Sequence, residues 1–176
     1  MTISKAHGFA LIDLIFVCGI IGILCSIALP RLLQARQAAS AASAIGSMRA
    51  VNSAELTFAL TCGSGFYAPS LTTLGRPPVG SAEPFITPSL GATDIVTKST
   101  YTIQLTAAAF AGSPSSCNGL AAGAAGTGFR AAADPLDPQN LRYFATNAMN
   151  GIFEHTATLF STMPEVGSPL TGHPLR

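Results

Sequence analysis

The sequence predicts an α+β fold in which one long N-terminal helix packs on a small antiparallel sheet. Three features predict it. An apolar run stands near the start of the chain. Helix-favouring Ala, Leu, Arg and Gln follow it without a break. The second half then carries short alternating segments and an Asn-Gly turn.

The helix comes first. Phe9 to Leu29 is an apolar run in which only Asp13 is charged. As a helix this run spans about 31 Å, the thickness of a bilayer core. The apolar part of a secretory signal is shorter, roughly 7–15 residues. Cys18, Gly22 and Ser26 are spaced four apart, which places three small residues on one helix face where a second helix can approach closely. Pro30 has no N–H to give Ser26, so a kink or local opening is expected there. From Arg31 the chain reads RLLQARQAASAASAIGSMRAVNSAELTFAL. Ile45, Met48, Val51, Leu56 and Ala59 keep an approximate helical stripe. Gly63 and Gly65 supply the stop. The expectation is one helix from about Phe9 to about Leu60, its second half amphipathic.

The later elements are shorter. Phe66-Tyr67-Ala68-Pro69 and the Ser70-Leu71-Thr72-Thr73-Leu74 phrase predict a turn and one helical turn, with Leu71 and Leu74 on the core. Residues 77–92 read as loop. Tyr101, Ile103 and Leu105 alternate with Thr100, Thr102, Gln104 and Thr106, the pattern of a half-buried strand. Residues 107–128 are rich in Gly, Ala and Ser and are expected to form a mobile loop. Leu141–Thr146 and Ile152–His155 read as two strands turning at Asn150-Gly151. From Pro164 onward, Pro, Gly and polar residues predict a loose tail.

Composition narrows the function. The net charge is +1 over 176 residues, without a basic block, which argues against nucleic acid as the main partner. Seventeen glycines and twelve prolines point to much irregular structure beyond the helix. Of the four cysteines, Cys18 and Cys25 lie in the apolar run and read as small packing residues. Cys62 and Cys117 lie outside it. In an oxidising compartment they would close a loop of about 55 residues, worth roughly 4 kcal/mol; in a reducing one they would be two free thiols.

An acid inside a membrane-grade run is costly and ordinarily has a partner. No Lys or Arg lies within a helical turn of Asp13. Cleavage before Phe9 would create an amine four residues from Asp13, on the same face. Gly8-Phe9-Ala10-Leu11-Ile12-Asp13-Leu14 resembles the N-terminal signal of type IV pilins and type II secretion pseudopilins. That signal is a short basic leader ending in Gly, then Phe, then an apolar run with an acid at its fifth residue. The resemblance covers about the first 30 residues. It implies cleavage between Gly8 and Phe9 and N-methylation of Phe9 by a prepilin peptidase. Gly22 and Pro30 fall where the family weakens its helix. The acid is Asp13 where the family has Glu, one methylene shorter, which keeps the charge and reduces its reach.

The resemblance further implies a pilin-like fold. Its parts would be a leader over 1–8, a transmembrane or filament-core helix over 9–30, and the amphipathic half over 31–62. A head over 63–163 and the tail over 164–176 would follow. It implies assembly into a filament through Asp13, Gly22 and Pro30. The implied partners are the peptidase, identical or related subunits, an inner-membrane assembly platform and the membrane. The implied location is the bacterial inner membrane, single-pass with the head in the periplasm, and then a pilus or periplasmic filament. The Phe66 to Gly75 phrase leans towards a pseudopilin of a type II secretion system. A reading from another class is a monomeric membrane-anchored or secreted binding protein, with Ser26-Ile27-Ala28 as an ordinary signal cleavage site.

No catalytic constellation is formed: His7, His155 and His173 are scattered, and GAAGTG at Gly123 is not a dinucleotide fingerprint. The chain therefore reads as a non-enzyme without cofactor. Major pseudopilins bind calcium in C-terminal loops, and here Asp134, Asp137 and Asn140 are the oxygen donors. They do not match a 12-residue calcium loop, and loop aspartates ordinarily form turns, so calcium is the lesser reading. Arg31, Arg36, Arg49 and Glu55 on the helix read as solvated charges or contacts between subunits.

Overall fold

The computed structural model describes residues 11–175. They fall into two units dividing between Ala39 and Ser40. Helix α1, Leu11–Thr61, runs through the division and stays helical through Pro30, so the proline does not end it. Beyond Ser40 its buried side is a heptad: Ala41, Ala44, Met48, Val51, Glu55, Phe58 and then Cys62, spaced alternately by three and four. The stripe expected from the sequence is offset from this one. Met48, Val51 and Ala59 are buried, but Leu56 is exposed and Ile45 only half-buried. Small alanines at 41, 44 and 54 occupy the buried side, so hydrophobicity alone points to the larger residues beside it. The helix ends as expected. Ser64 and Gly65 take φ of 52° and 90°, and the Gly65 N–H bonds to Ala59 O at 2.8 Å.

Two short helices follow. α2, Leu71–Leu74, is capped by Ser70, whose hydroxyl accepts the Thr73 N–H at 3.3 Å. Leu71 and Leu74 are fully buried, as the phrase predicts. α3, Pro88–Gly91, crosses α2 closely: a Cβ on Gly75 would stand 2.3 Å from Gly91 O.

The sheet is an antiparallel meander in the order β1 to β6: Ile95–Lys98, Tyr101–Thr106, Arg130–Pro135, Tyr143–Asn147, Ile152–His155 and His173–Pro174. Register sorts its two faces. Ile103 lies opposite Ala133, which lies opposite Phe144, and Leu105 lies opposite Ala131. These residues share one core with Met48, Val51 and Phe58 of α1. On the other face Ala132 and Ala145 pack under Leu159 and Met163, flanked by Phe153 and Phe160.

Three strands are absent from the sequence reading. β1 is short and mostly exposed. β3 reads RAAADP, poor in strand formers, and is fixed by burial between β2 and β4. β6 belongs to the segment expected to be loose. That segment is instead fastened. Asn147, fully buried, donates to Pro164 O at 2.9 Å and to Gly167 O at 2.6 Å. Glu165 accepts from the Ala108 N–H at 2.7 Å, and the Leu175 N–H reaches Ile152 O at 2.8 Å. The 107–128 segment is also held down. Gly126 bridges to Tyr67 and Ala109, Phe110 stacks on Phe66 at 5.7 Å, and Asn118 donates to Thr73 O and Arg76 O at 2.7 and 3.2 Å.

Candidate functional site

The first part of α1 is built to be covered by something outside its own chain. It is long and apolar enough to cross a membrane, and its apolar window is wholly exposed. Ile12, Ile15, Phe16, Ile23, Leu24, Ile27 and Leu29 each leave more than half of their surface open. Such a stripe is stable against lipid or against other apolar helices, not in water. Asp13 is exposed on this helix. Around Gly22 no atom beyond its own helix backbone and chain neighbours lies within 4 Å of a Cβ built there, so the notch is open to a neighbouring helix. Pro30 is exposed, and Cys18 and Cys25 are exposed free thiols. Gly8 and Phe9, the expected processing pair, lie outside the described residues.

The second predicted pair does meet. Cys62 and Cys117 form a disulfide, with Cα atoms 5.0 Å apart and a sequence separation of 55. It joins the end of α1 to the glycine-rich segment. The Cys117 N–H also bonds to Cys62 O at 3.3 Å.

The candidate calcium donors serve separate local bonds. Asp134, on β3, accepts the Thr158 hydroxyl at 2.7 Å, and burial pushes its carboxyl up from the usual range. Asp137 accepts the Gln139 N–H at 2.9 Å, a turn contact. Asn140 is buried and donates to the Tyr101 hydroxyl at 3.0 Å. Among the described residues no three His, Cys, Asp or Glu side chains are gathered as a metal would need.

The helix charges divide. Arg31, Arg36 and Arg49 are exposed. Glu55 is not: it is completely buried, which corrects its reading as a solvated or inter-subunit charge. Its Oε2 accepts the Ala68 N–H at 2.9 Å, and its Oε1 has no partner among the described residues. Burial raises its carboxyl well above the usual range, and the Ala68 amide offsets this only in part. The heptad 41-44-48-51-55-58-62 was the signal that would have found it. Surface charge is ordinary elsewhere: Arg142 pairs with Glu154 and lies over Phe144.

Comparison with family models, with curated proteins and with solved structures finds no match to the chain.

Proposed function

We propose that this protein is a structural subunit of a type IV pilus-like filament, held in the membrane by the first part of α1 and assembled through it. The observation that carries the reading is the wholly exposed apolar stretch of α1, bearing one acid, in the same chain as a separately packed α+β head. The motif from Gly8 to Leu14 adds the resemblance to prepilins.

In this reading a prepilin peptidase removes residues 1–8, and the bilayer stores the subunit with its head in the periplasm. An inner-membrane platform then moves it into a filament. There, helices of identical or related subunits replace lipid around residues 9–30. Little hydrophobic driving force separates lipid from a neighbouring helix, so close packing at Gly22 and charge pairing must select the arrangement. Asp13 supplies the pairing by meeting the Phe9 amine of an adjacent copy. In a low-dielectric filament core an unpaired carboxylate is strongly disfavoured, so the pair sets register. The disulfide fits an oxidising compartment.

Asp13→Ala tests the role of the acid. The variant should be processed and membrane-bound yet poorly incorporated into filaments, while Asp13→Glu should assemble. Normal incorporation of the alanine variant overturns the pairing.

A second reading, a pseudopilin of a type II secretion system, rests on the resemblance of the Phe66 to Gly75 phrase to the segment that follows the long helix in major pseudopilins. Secretion competence of a strain lacking this chain separates the two.

A further inference from the structure

One ionisable group has no part in that assembly and sits in the middle of the head's core. Glu55 stands between Val51 and Phe58 on the buried heptad of α1. Among the described residues its one partner is the backbone N–H of Ala68, and its second oxygen is enclosed and unpaired. Ala68 is itself fully buried and belongs to the connection over residues 63–70, between α1 and α2. The connection is also tied by the Gly63 N–H to Phe58 O at 2.7 Å and the Gly65 N–H to Ala59 O at 2.8 Å, by Phe66 stacked on Phe110 and by Tyr67 packed on Phe129. Tyr67 exchanges two backbone bonds with Gly126, at 2.9 and 3.0 Å, and Cys62 just before it is bridged to Cys117.

The charged surroundings offer Glu55 no counter-charge. Among the described residues the charged or titratable groups of the strands on the sheet face turned to α1 are Lys98 of β1, Glu154 of β5 and His173 of β6 opposite it, with Glu154 held by Arg142. Tyr101 of β2 bonds to Asn140 and Arg142 O, and Tyr67 lies on the connection itself. Cys62 and Cys117 do not titrate. Burial and the Ala68 amide are the causes that act on Glu55. A neutral carboxyl tolerates this site at the cost of one unpaired oxygen, whereas a carboxylate with a single donor must reach water.

We propose that Glu55 is a proton-operated latch: its neutral carboxyl holds Ala68 and the 63–70 connection on α1, and loss of the proton releases that connection while the Cys62–Cys117 bridge keeps it tethered. The device belongs to the head and operates whether or not the chain forms filaments.

The test is amide hydrogen exchange of the full chain in detergent micelles over a pH series, corrected for intrinsic exchange. Wild type is compared with Glu55→Gln, which keeps the shape and the acceptor but carries no titratable proton. The internal reference is β4. In wild type, protection over residues 63–70 falls about tenfold per pH unit from the ordinary carboxylate value up to the raised value of the closed state, and levels off above it, as linkage to one proton requires. In Glu55→Gln it stays level, and in both proteins β4, which opens only with the whole head, is the better protected at every pH. An identical pH dependence in the two proteins overturns the latch. So does protection of residues 63–70 in wild type that equals that of β4 at every pH, because the opening would then be global. This second comparison needs wild type alone and decides the matter even if the variant fails to fold.

Discussion

Cutting the bridge between Cys62 and Cys117 tests how the head is held together. The perturbation is Cys117→Ser, chosen because Cys117 is exposed while Cys62 is buried, so the replacement itself disturbs little packing. The bridge closes a loop of 55 residues. Chain entropy assigns such a loop about 14 cal/mol/K, or roughly 4 kcal/mol at 25 °C, lost from the unfolded state. That is a large part of an ordinary domain's stability. The bridge also fastens 107–128 to the end of α1, so strands β2 and β3 are joined through a restrained connection. Urea titration of the full chain in micelles, read by circular dichroism, measures the effect. The variant should lose about 4 kcal/mol, with a steeper denaturant dependence because its unfolded chain expands further. Reduced wild type should behave alike. For a chain of this size the melting point should drop by roughly 10–15 °C. A loss under about 1 kcal/mol, in both the variant and the reduced protein, would refute the reasoning.

The remaining predictions concern Glu55 and the C-terminal segment. The Glu55 carboxyl is raised in the folded state, so folding retains its proton and the associated stability is complete only below the unfolded value. As pH rises from there towards the folded value, wild type should lose about 1.4 kcal/mol per pH unit. Glu55→Gln should lack this slope and exceed wild type in stability at pH 8, which urea titrations at several pH values will show. Asn147→Ala removes both bonds that Asn147 makes to Pro164 O and Gly167 O. It should cost about 2 kcal/mol and expose the chain beyond Pro164 to limited proteolysis, while wild type resists.

The parts that were readable from the sequence are those governed by local rules. A long apolar run and helix-favouring residues define α1, and the glycines after Thr61 end it. Strict alternation marks β2, and Asn150-Gly151 places the β4–β5 hairpin, with Asn150 at φ 60°. What escaped depends on tertiary partners. β3 is a run of alanines that acquires strand geometry from its two neighbours. The tail is fixed by Asn147, one polar side chain, and β6 by pairing with β5. Of the candidate site, Asp13, Gly22 and Pro30 could be placed because periodicity locates them on one exposed helix. Glu55 was misplaced because its charge outweighed its heptad position. The spacing from Ala41 to Cys62 carried the better signal.

The central claim is that the exposed stretch of α1 starts at a processed Phe9 and serves assembly. The most direct measurement is the N-terminal sequence and intact mass of the protein extracted from its native membranes. The account predicts a chain beginning at N-methylated Phe9 and retaining Asp13. A chain beginning at Leu29 would contradict it, for the apolar run would then be an ordinary secretory signal and the surface proposed for assembly would be absent from the mature protein.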